Sequence, residues 1–218
     1  MKQQLLTLSF LLVFLWEPVA SANNQNFELV EFTYLQPAST EVPYARNGAL
    51  FRTRTSKAVI LAHQWGAKKE SWYFLADILR EKGIASLALQ SSGTRDVLGA
   101  IDFMIAEGYS DITLVGASIG GGAILHALEI NPTSPIAKVI LLAPAEGPAL
   151  QNSQIDKLVI VAEKDFFRKN SYIAYNSASN PKTLKEYTGA KHAQDLFESE
   201  HKEDLVTTIV EFLKKKPN

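Results

Sequence analysis

The 218-residue sequence contains no cysteine. Disulfide bonds, a thiolate nucleophile and a lipid-modified cysteine are therefore excluded, and the folded chain must be stable through its core alone. Charge of one sign is also in little excess, because the formal net charge is −1 and the pI is near 6.4. A nucleic-acid-binding protein carries a basic footprint that is missing here, so we predict no nucleic-acid partner.

Two kinds of ligand motif are missing as well. Histidines and acidic residues form no cluster with the spacing of metal ligands, so we predict no metal and no other cofactor. The glycines at 120–122 are typical of phosphate-binding loops, but no Gly-Lys-Ser/Thr follows them. A nucleotide site is therefore a weak interpretation.

The sequence has no apolar run of the length that spans a bilayer, which is about 20 residues. Leu5–Trp16 is a twelve-residue apolar stretch with Lys2 before it, and Ala20-Ser21-Ala22 fits the small-residue pattern of a cleavage site. We predict that residues 1–22 are a signal peptide cut before Asn23. The mature protein would be periplasmic or secreted, with no stable membrane insertion. An uncleaved anchor is the alternative.

A single stretch combines strand, sharp turn and helix patterns. Ile112–Val115 is a short β-branched, apolar run of the kind found in strands buried on both faces. Gly116–Gly120 fits G-x-S-x-G, and helix-forming residues follow in Ala123–Ile130. A strand that turns sharply into a helix presents the residue at the turn beyond the sheet, here Ser118. The glycines on both sides allow neighbouring backbones to approach.

Strand and helix patterns alternate along the rest of the chain. The predicted strands are Ala58–Ala62, Ile84–Leu89, Ile112–Val115, Ala137–Ala143, Lys157–Ala162 and Lys182–Tyr187. The predicted helices are Glu70–Lys82, Thr94–Glu107, Ala123–Ile130, part of Phe166–Ala178 and the segment from Ala193 onward. Phe27–Leu35 and Tyr44–Arg54, joined by a turn at Pro37–Pro43, are predicted to form an antiparallel edge hairpin.

This alternation predicts an α/β fold in residues 23–218, as a single domain without an inserted lid. The central sheet should be mostly parallel, with helices on both faces. Ligands of such sheets bind beyond the carboxyl ends of the strands. Ser118, Asp165, His192 and the loop at 63–65 each follow a predicted strand, so we expect them at one edge.

These residue types can carry out nucleophilic catalysis together. A serine hydroxyl needs a base to remove its proton, and imidazole has a pKa suited to that task. A carboxylate on the other ring nitrogen fixes the tautomer of the imidazole. We predict Ser118 as nucleophile, His192 as base and Asp165 as the acid. Glu163, Glu146 and Asp156 remain alternatives to Asp165, which could also cap a helix. His63, His126 and His201 are the other histidines; His126 is expected to be either packed or at the surface, and His201 is expected to be solvated.

The G-x-S-x-G turn, with Ser118, Asp165 and His192 following in that order, resembles the α/β-hydrolase family. The resemblance runs from about residue 58 to the C-terminus, and is to small, lidless serine esterases and dienelactone-hydrolase-like members. It implies an oxyanion hole made of backbone N–H groups, one of them from Ile119. The second would come from Trp65, with Gln64 as the alternative; family members often carry glycine after the histidine, where this chain has Gln64.

The resemblance also implies a reaction and limits its substrate. Dienelactone hydrolases use a cysteine nucleophile, so their particular substrate is disfavoured here. A lidless, open site suits a small-molecule or surface-presented acyl ester. The implied function is an exported serine hydrolase that cleaves carboxylic esters, or thioesters, through an acyl-Ser118 intermediate. A catalytically inactive binding protein of the cell envelope and a serine peptidase are the alternatives. Five aromatic residues either wall the acyl pocket or belong to the core: Trp65, Trp72, Phe166, Phe167 and Tyr172.

Overall fold

A computed structural model describes residues 26–34 and 45–215. The predicted signal peptide at 1–22 and the predicted turn at 37–43 lie outside the described residues, so both stay predictions. In the part of the chain that the structure describes, no helix has the length and apolar character needed to cross a membrane.

In residues 26–34 and 45–215, eight strands and five α-helices follow one another in the order that the sequence predicts. The strands are β1 (Glu28–Thr33), β2 (Ala45–Phe51), β3 (Lys57–Ala62), β4 (Ala85–Leu89), β5 (Asp111–Ala117), β6 (Ile136–Leu142), β7 (Asp156–Ala162) and β8 (Lys182–Tyr187). The helices are α1 (Tyr73–Glu81), α2 (Thr94–Ala106), α3 (Ile119–Ile130), α4 (Arg168–Ser177) and α5 (Lys202–Lys214). Short 3-10 turns at Lys69–Trp72 and Ala193–Glu198 precede α1 and α5.

The eight described strands form one sheet in the order β1-β2-β4-β3-β5-β6-β7-β8. β2 runs antiparallel to both of its neighbours, and the pairs from β4 to β8 are parallel. The predicted fold is therefore confirmed: a mostly parallel α/β sheet with an antiparallel N-terminal hairpin at its edge. Only 13 residues, 143–155, separate β6 from β7, so no lid domain is inserted there.

The core lies on both faces of the sheet because successive side chains of a strand point to opposite sides. On β5, Leu114 packs in the cluster that contains Ile101 of α2, whereas Val115 packs in the cluster that contains Leu79 of α1 and Ile209 of α5. All five of these residues are at most 1% exposed. Burial on both faces explains why the central strands are continuous apolar runs rather than alternating ones.

Three lysines lie at the amino ends of the last three strands and donate to backbone carbonyl groups. Lys138 binds carbonyls at the C-terminal end of α5, Lys157 binds carbonyls in the loop at 152–155, and Lys182 binds carbonyls at the C-terminal end of α4. Cations there complement the partial negative charge of helix C-termini. Burial lowers the pKa of Lys138 and of Lys157. This amino edge of the sheet is thus held by ammonium groups.

Candidate active site

Ser118 lies at the turn between β5 and α3, in a backbone conformation that L-residues rarely adopt. Its φ is 49° and its ψ is −114°. The turn is held on both sides, because the Ser118 N–H donates to the Leu142 carbonyl (2.9 Å) and the Ser118 carbonyl accepts from Ala145 (2.8 Å) and Gly122 (3.1 Å). The strained residue is therefore fixed by the loop after the neighbouring strand.

Two glycines of the motif are required by close backbone approach. A Cβ atom on Gly120 would lie 2.5 Å from the carbonyl oxygen of Ala62, at the end of β3. One on Gly116 would lie 2.7 Å from the carbonyl oxygen of Gly120. Any side chain there would push α3 away from the sheet. The glycines therefore bring the N-terminus of α3 against the carboxyl ends of the strands, as the sequence pattern predicts.

Asp165 and His192 come from the loops after β7 and β8 and form a direct hydrogen bond. His192 Nδ1 lies 2.8 Å from Asp165 Oδ2, and the Asp165 side chain is fully buried. The other carboxylate oxygen accepts from the Phe167 N–H at 2.7 Å, so Asp165 also caps the turn before α4. Because an ionised carboxylate only accepts, the Nδ1 atom carries the proton of the neutral ring. The His192 Nε2 atom is then left with a free lone pair.

Ser118 and His192 line the same cavity, whose volume is about 330 Å³. Asp165 lies behind His192, away from the cavity, and the His192 side chain is 25% exposed. The cavity is bounded by apolar and small side chains together with four polar ones, which come from five segments of the chain: Gln64, Trp65, Ser118, Ile119, Ala143, Ala145, Phe167, Asn170 and His192. The structure thus brings the three predicted residues of the triad to one place.

The two predicted oxyanion donors also border this cavity. Ile119 is the first residue of α3, so its N–H has no partner inside the helix. The alternative donor Gln64 has its N–H occupied, because it donates to the side-chain oxygen of Gln194 at 2.8 Å. This favours Trp65 as the second donor. The Trp65 side chain itself is 82% exposed.

The alternatives to Asp165 lie elsewhere. The Glu163 side chain is 41% exposed and lies 4.0 Å from the Lys164 ammonium group. Glu146 borders a second, more open cavity beside α3, and Asp156 begins β7 at the opposite edge of the sheet. Of these carboxylates, Asp165 is the one that bonds His192.

The other histidines have structural environments of their own. His63 is buried, with Nδ1 2.8 Å from the Gln64 carbonyl and Nε2 3.2 Å from the Gln90 carbonyl, so it braces the loop after β3. His126 is exposed on α3, which is one of the two placements expected for it. His201 was expected to be solvated as well, but it is half-buried, and its Nε2 lies 2.9 Å from a threonine hydroxyl.

The aromatic residues divide between core and cavity. Trp72 is fully buried in the core under α1, and Tyr172 binds a glutamate on β8, so neither lines the site. Trp65 and Phe167 line the cavity, and Phe166 is 91% exposed beside Phe167.

Two residues near the site, Gln194 and Asn170, belong to no sequence motif and could not have been identified from the sequence. Among the described residues, no group of three possible ligands is placed to hold a metal ion.

No protein-family model and no curated protein sequence matches the chain. Solved structures are similar to it. Dienelactone hydrolase from Anabaena variabilis aligns with a TM-score of 0.67 at 17% identity, over 89% of this chain and 100% of that one. A monoacylglycerol lipase from Paleococcus ferrophilus aligns with a TM-score of 0.65 at 18% identity, over 77% of this chain and 98% of that one. An esterase from Exiguobacterium antarcticum aligns with a TM-score of 0.62 at 13% identity, over 77% of this chain and 96% of that one.

The strand order, the sharp turn at Ser118 and the likeness to these structures agree with one another. The chain therefore has the α/β-hydrolase fold, in a form similar to that of a dienelactone hydrolase.

Proposed function

We propose that the protein is a serine hydrolase that cleaves carboxylic esters, or thioesters, through an acyl-Ser118 intermediate. The observation that carries the proposal is the 2.8 Å hydrogen bond between His192 and the buried Asp165, with His192 on the wall of the cavity that Ser118 also lines. The esterase and the monoacylglycerol lipase among the similar structures support a hydrolase, although the low sequence identity makes that support one of fold.

In the first half of the reaction, His192 Nε2 takes the proton of Ser118 as the serine oxygen forms a bond to the carbonyl carbon. The buried Asp165 carboxylate stabilises the imidazolium that results. The oxygen of the tetrahedral intermediate accepts from the N–H groups of Ile119 and Trp65. His192 then gives its proton to the leaving oxygen or sulfur atom, and the bond to that atom breaks. The alcohol or thiol departs and the acyl group stays on Ser118.

In the second half, water takes the place of the leaving group. His192 removes a proton from the water, whose oxygen attacks the acyl carbon, and the same two N–H groups hold the developing charge. The bond between the acyl carbon and the Ser118 oxygen then breaks as His192 returns its proton to that oxygen. The carboxylic acid is released and the free enzyme is restored. The positive end of the α3 dipole, directly behind Ser118, favours the negative charge in both halves.

The cavity indicates the size of the acyl group. At about 330 Å³ it lies near the lower end of small-molecule sites, which span roughly 300–1,000 Å³. Trp65, Ile119 and Phe167 supply apolar walls, whereas Asn170 supplies an amide that can hydrogen-bond a polar part of the substrate. We therefore propose short, apolar acyl groups, either on small molecules or presented at a surface. We also propose export, since the sequence begins with a signal-peptide pattern.

Kinetics with a short p-nitrophenyl ester test the proposal. We expect Ser118→Ala to lower kcat by about 10⁵-fold to 10⁶-fold, as loss of a triad nucleophile does. Ser134→Ala is the control, because this serine lies far from the cavity just before the start of β6 and its buried hydroxyl has no hydrogen-bond partner in the described structure. Turnover by Ser118→Ala at the wild-type rate would refute the proposal. N-terminal sequencing of the exported protein tests the cut before Asn23.

A further inference from the structure

Two glutamines join the loop after β3 to the loop after β8, 130 residues apart in sequence. The Gln64 N–H donates to the Gln194 side-chain oxygen (2.8 Å), and the Gln194 N–H donates to the Gln64 side-chain oxygen (2.9 Å). The two bonds are reciprocal and form a closed clasp. Gln194 is 7% exposed, so the clasp is shielded from water on that side.

The side-chain nitrogen of each glutamine donates one further hydrogen bond. Gln64 Nε2 donates to an Asp195 carboxylate oxygen at 2.7 Å, and Gln194 Nε2 donates to the Ser71 hydroxyl at 2.8 Å. A backbone N–H can only donate and a carboxylate can only accept, so these partners fix the orientation of the Gln64 amide. The Asp195 N–H in turn donates to the His192 carbonyl at 2.8 Å. The network therefore reaches the backbone of the proposed base.

The clasp controls both loops at the points that matter for the reaction. It occupies the N–H of Gln64 and so leaves the next N–H, that of Trp65, as the donor that borders the cavity. On the other side it holds Gln194 directly after Ala193, whose φ of 44° is a strained value for a residue with a Cβ atom. A strained turn keeps its shape only when its surroundings hold it.

Resting on the function proposed above, we propose that Gln64 and Gln194 are positioning residues that couple the Trp65 oxyanion donor to the His192 base. Neither side chain takes or gives a proton in the reaction. Their role is to keep one donor and one base at a fixed separation around Ser118, and small displacements of such groups are costly to rate.

The test is a double-mutant cycle with a p-nitrophenyl ester. We expect Gln194→Ala and Gln64→Ala each to lower kcat by about tenfold to a hundredfold, with KM changed by less than about threefold. Because the two residues act as one unit, the double variant should lose no more than the worse single variant. Gln194→Glu keeps an acceptor for the Gln64 N–H and should recover part of the loss. Gln154→Ala, an exposed glutamine at the amino edge, is the matched control.

A second readout separates positioning from mere stability. Affinity for a trifluoromethyl ketone, whose serine adduct requires the oxyanion donors, should fall in proportion to kcat in the clasp variants while KM stays nearly constant. Wild-type kcat in folded Gln194→Ala or Gln64→Ala would overturn the coupling while leaving Ser118 as nucleophile intact. Additive losses in the double variant would overturn it too. Full activity of Ser118→Ala would instead overturn the proposed function.

A different observation concerns the surface around the cavity mouth. Among the described residues eight large apolar side chains are exposed, and four of them form what we call the apolar rim: Trp65 (82%), Ile119 (41%), Phe166 (91%) and Phe167 (50%). Three line the cavity, and Phe166 packs on Phe167 with ring centroids 5.1 Å apart. The two most exposed of the eight belong to the rim. Clustering of this kind marks an interaction surface rather than scattered surface residues.

Three lysines are close in the sequence to residues of the rim or of the cavity wall. Lys164 and Lys169 flank Phe166 and Phe167 in the sequence, and Lys191 precedes His192; all three are exposed. The Lys164 N–H donates to the Gly189 carbonyl at 2.9 Å, which joins the loop of Phe166 to that of Lys191. Segments that bind at the interface of an anionic lipid layer typically combine exposed tryptophan and phenylalanine with lysine.

Deepening the proposed function, we infer that the apolar rim seats the protein on the surface of an anionic lipid layer, with the cavity mouth facing it. Esters in that layer then reach Ser118 without crossing bulk water. The contact is peripheral and reversible, since it consists of a few side chains in loops. An acyl ester presented at a surface is the substrate class that this orientation favours.

Tryptophan fluorescence tests the orientation directly. Processed protein cut before Asn23 retains two of the three tryptophans, Trp65 and Trp72, and Trp72 is fully buried, so a change in emission reports on Trp65. The Ser118→Ala protein should sediment with phosphatidylcholine vesicles that contain phosphatidylglycerol and should shift its emission to shorter wavelength. Phe166→Asp should lose both effects. Ile130→Asp, an exposed isoleucine on α3 outside the rim, should keep both.

Several outcomes overturn this inference independently of catalysis, because the variant used has no nucleophile. If Trp65 emission does not change with any vesicle, the rim does not bind lipid and the inference is overturned. That result is expected for a rim that binds another protein. Equal binding to vesicles with and without phosphatidylglycerol would overturn the anionic assignment. Equal loss in Ile130→Asp would show that the rim is not the contact.

Discussion

The two edges of the sheet are built differently. At the carboxyl edge lie the three residues other than glycine that have positive φ in the described structure, Ser118, Ala143 and Ala193, together with the cavity and the exposed aromatic rings. At the amino edge, buried Lys138 and Lys157 donate to carbonyl groups that would otherwise lack partners. One edge holds strained backbone and the polar side chains that border the cavity, and the other holds buried ammonium groups that donate to backbone carbonyls.

The comparison indicates that one edge of the sheet carries the proposed active site, whereas the other carries contacts that stabilise the fold. Strained backbone and desolvated carboxylates cost folding free energy and persist where surrounding contacts fix them. Lysines that donate to carbonyl groups stabilise the folded state, and they lie too far from the carboxyl edge to take part in a reaction there. Substitutions at the carboxyl edge should therefore change rate more than stability, and substitutions at the amino edge should do the reverse.

Among substitutions that leave the proposed nucleophile in place, the largest expected effect is at the carboxyl edge. Asp165→Asn removes the charge that stabilises the His192 imidazolium and permits the wrong tautomer, so kcat should fall by about 10⁴-fold while the fold is kept. Glu163→Gln is the matched control, because this carboxylate is two residues away but partly exposed. It should keep kcat within about twofold. Equal losses in the two variants would show that local charge, not the bond to His192, matters.

The next effect is at the amino edge and should appear in stability alone. Lys157→Met removes three hydrogen bonds of the ammonium group and leaves buried carbonyls unpaired, so the free energy of unfolding should fall by about 1–3 kcal/mol. Lys57→Met, at the start of β3, removes a partly exposed lysine with a long ion pair of 3.7 Å and should change stability by less than about 0.5 kcal/mol. Urea unfolding measures both. A large loss of kcat in folded Lys157→Met would contradict the division between the edges.

The strands and much of the carboxyl edge could be predicted from the sequence, whereas the lysines of the amino edge could not. The strands are apolar runs with clear limits, and the G-x-S-x-G motif fixes the turn at Ser118 through local backbone chemistry. Asp165 and His192 were predictable because parallel strands end at the same edge. In each case the signal lies within a few residues of the group that it describes.

The rest required contacts between distant segments. The Gln64–Gln194 clasp joins loops 130 residues apart, and glutamine has no fixed role that would have singled it out. Residues 70–82 were predicted as one helix but form a 3-10 turn followed by α1, a boundary set by packing of Trp72 in the core rather than by periodicity. The insertion of β4 between β2 and β3 likewise depends on the whole sheet.

A residue at the carboxyl edge that faces away from the cavity sharpens the comparison. Tyr187 ends β8, and its hydroxyl donates to Asp204 at 2.8 Å; burial, the largest cause, raises its pKa to about 12. A raised pKa adds stability that is fully present below pH 10, the ordinary value, and is lost as the pH rises towards 12. The stability advantage of wild type over Tyr187→Phe should therefore shrink across that window, at unchanged kcat. A constant difference would contradict the assignment.

The smallest expected effect concerns the strain itself. Ala193→Gly relieves a positive φ, but it removes a buried methyl group and gives the unfolded chain more freedom, so the net gain in the free energy of unfolding should be no more than about 1 kcal/mol. The matched control Ala174→Gly, inside α4, should lose about 0.5–1 kcal/mol instead. A loss in Ala193→Gly greater than the loss in Ala174→Gly would contradict strain in the turn after His192.

The most direct measurement of the central claim is chemical labelling at the carboxyl edge. The protein is treated with a fluorophosphonate, digested and mapped by mass spectrometry. We expect one adduct, on the Ser118 hydroxyl, formed rapidly in wild type and Glu163→Gln and very slowly in Asp165→Asn. Folded protein that gives no adduct, or an adduct on another serine, would contradict the account.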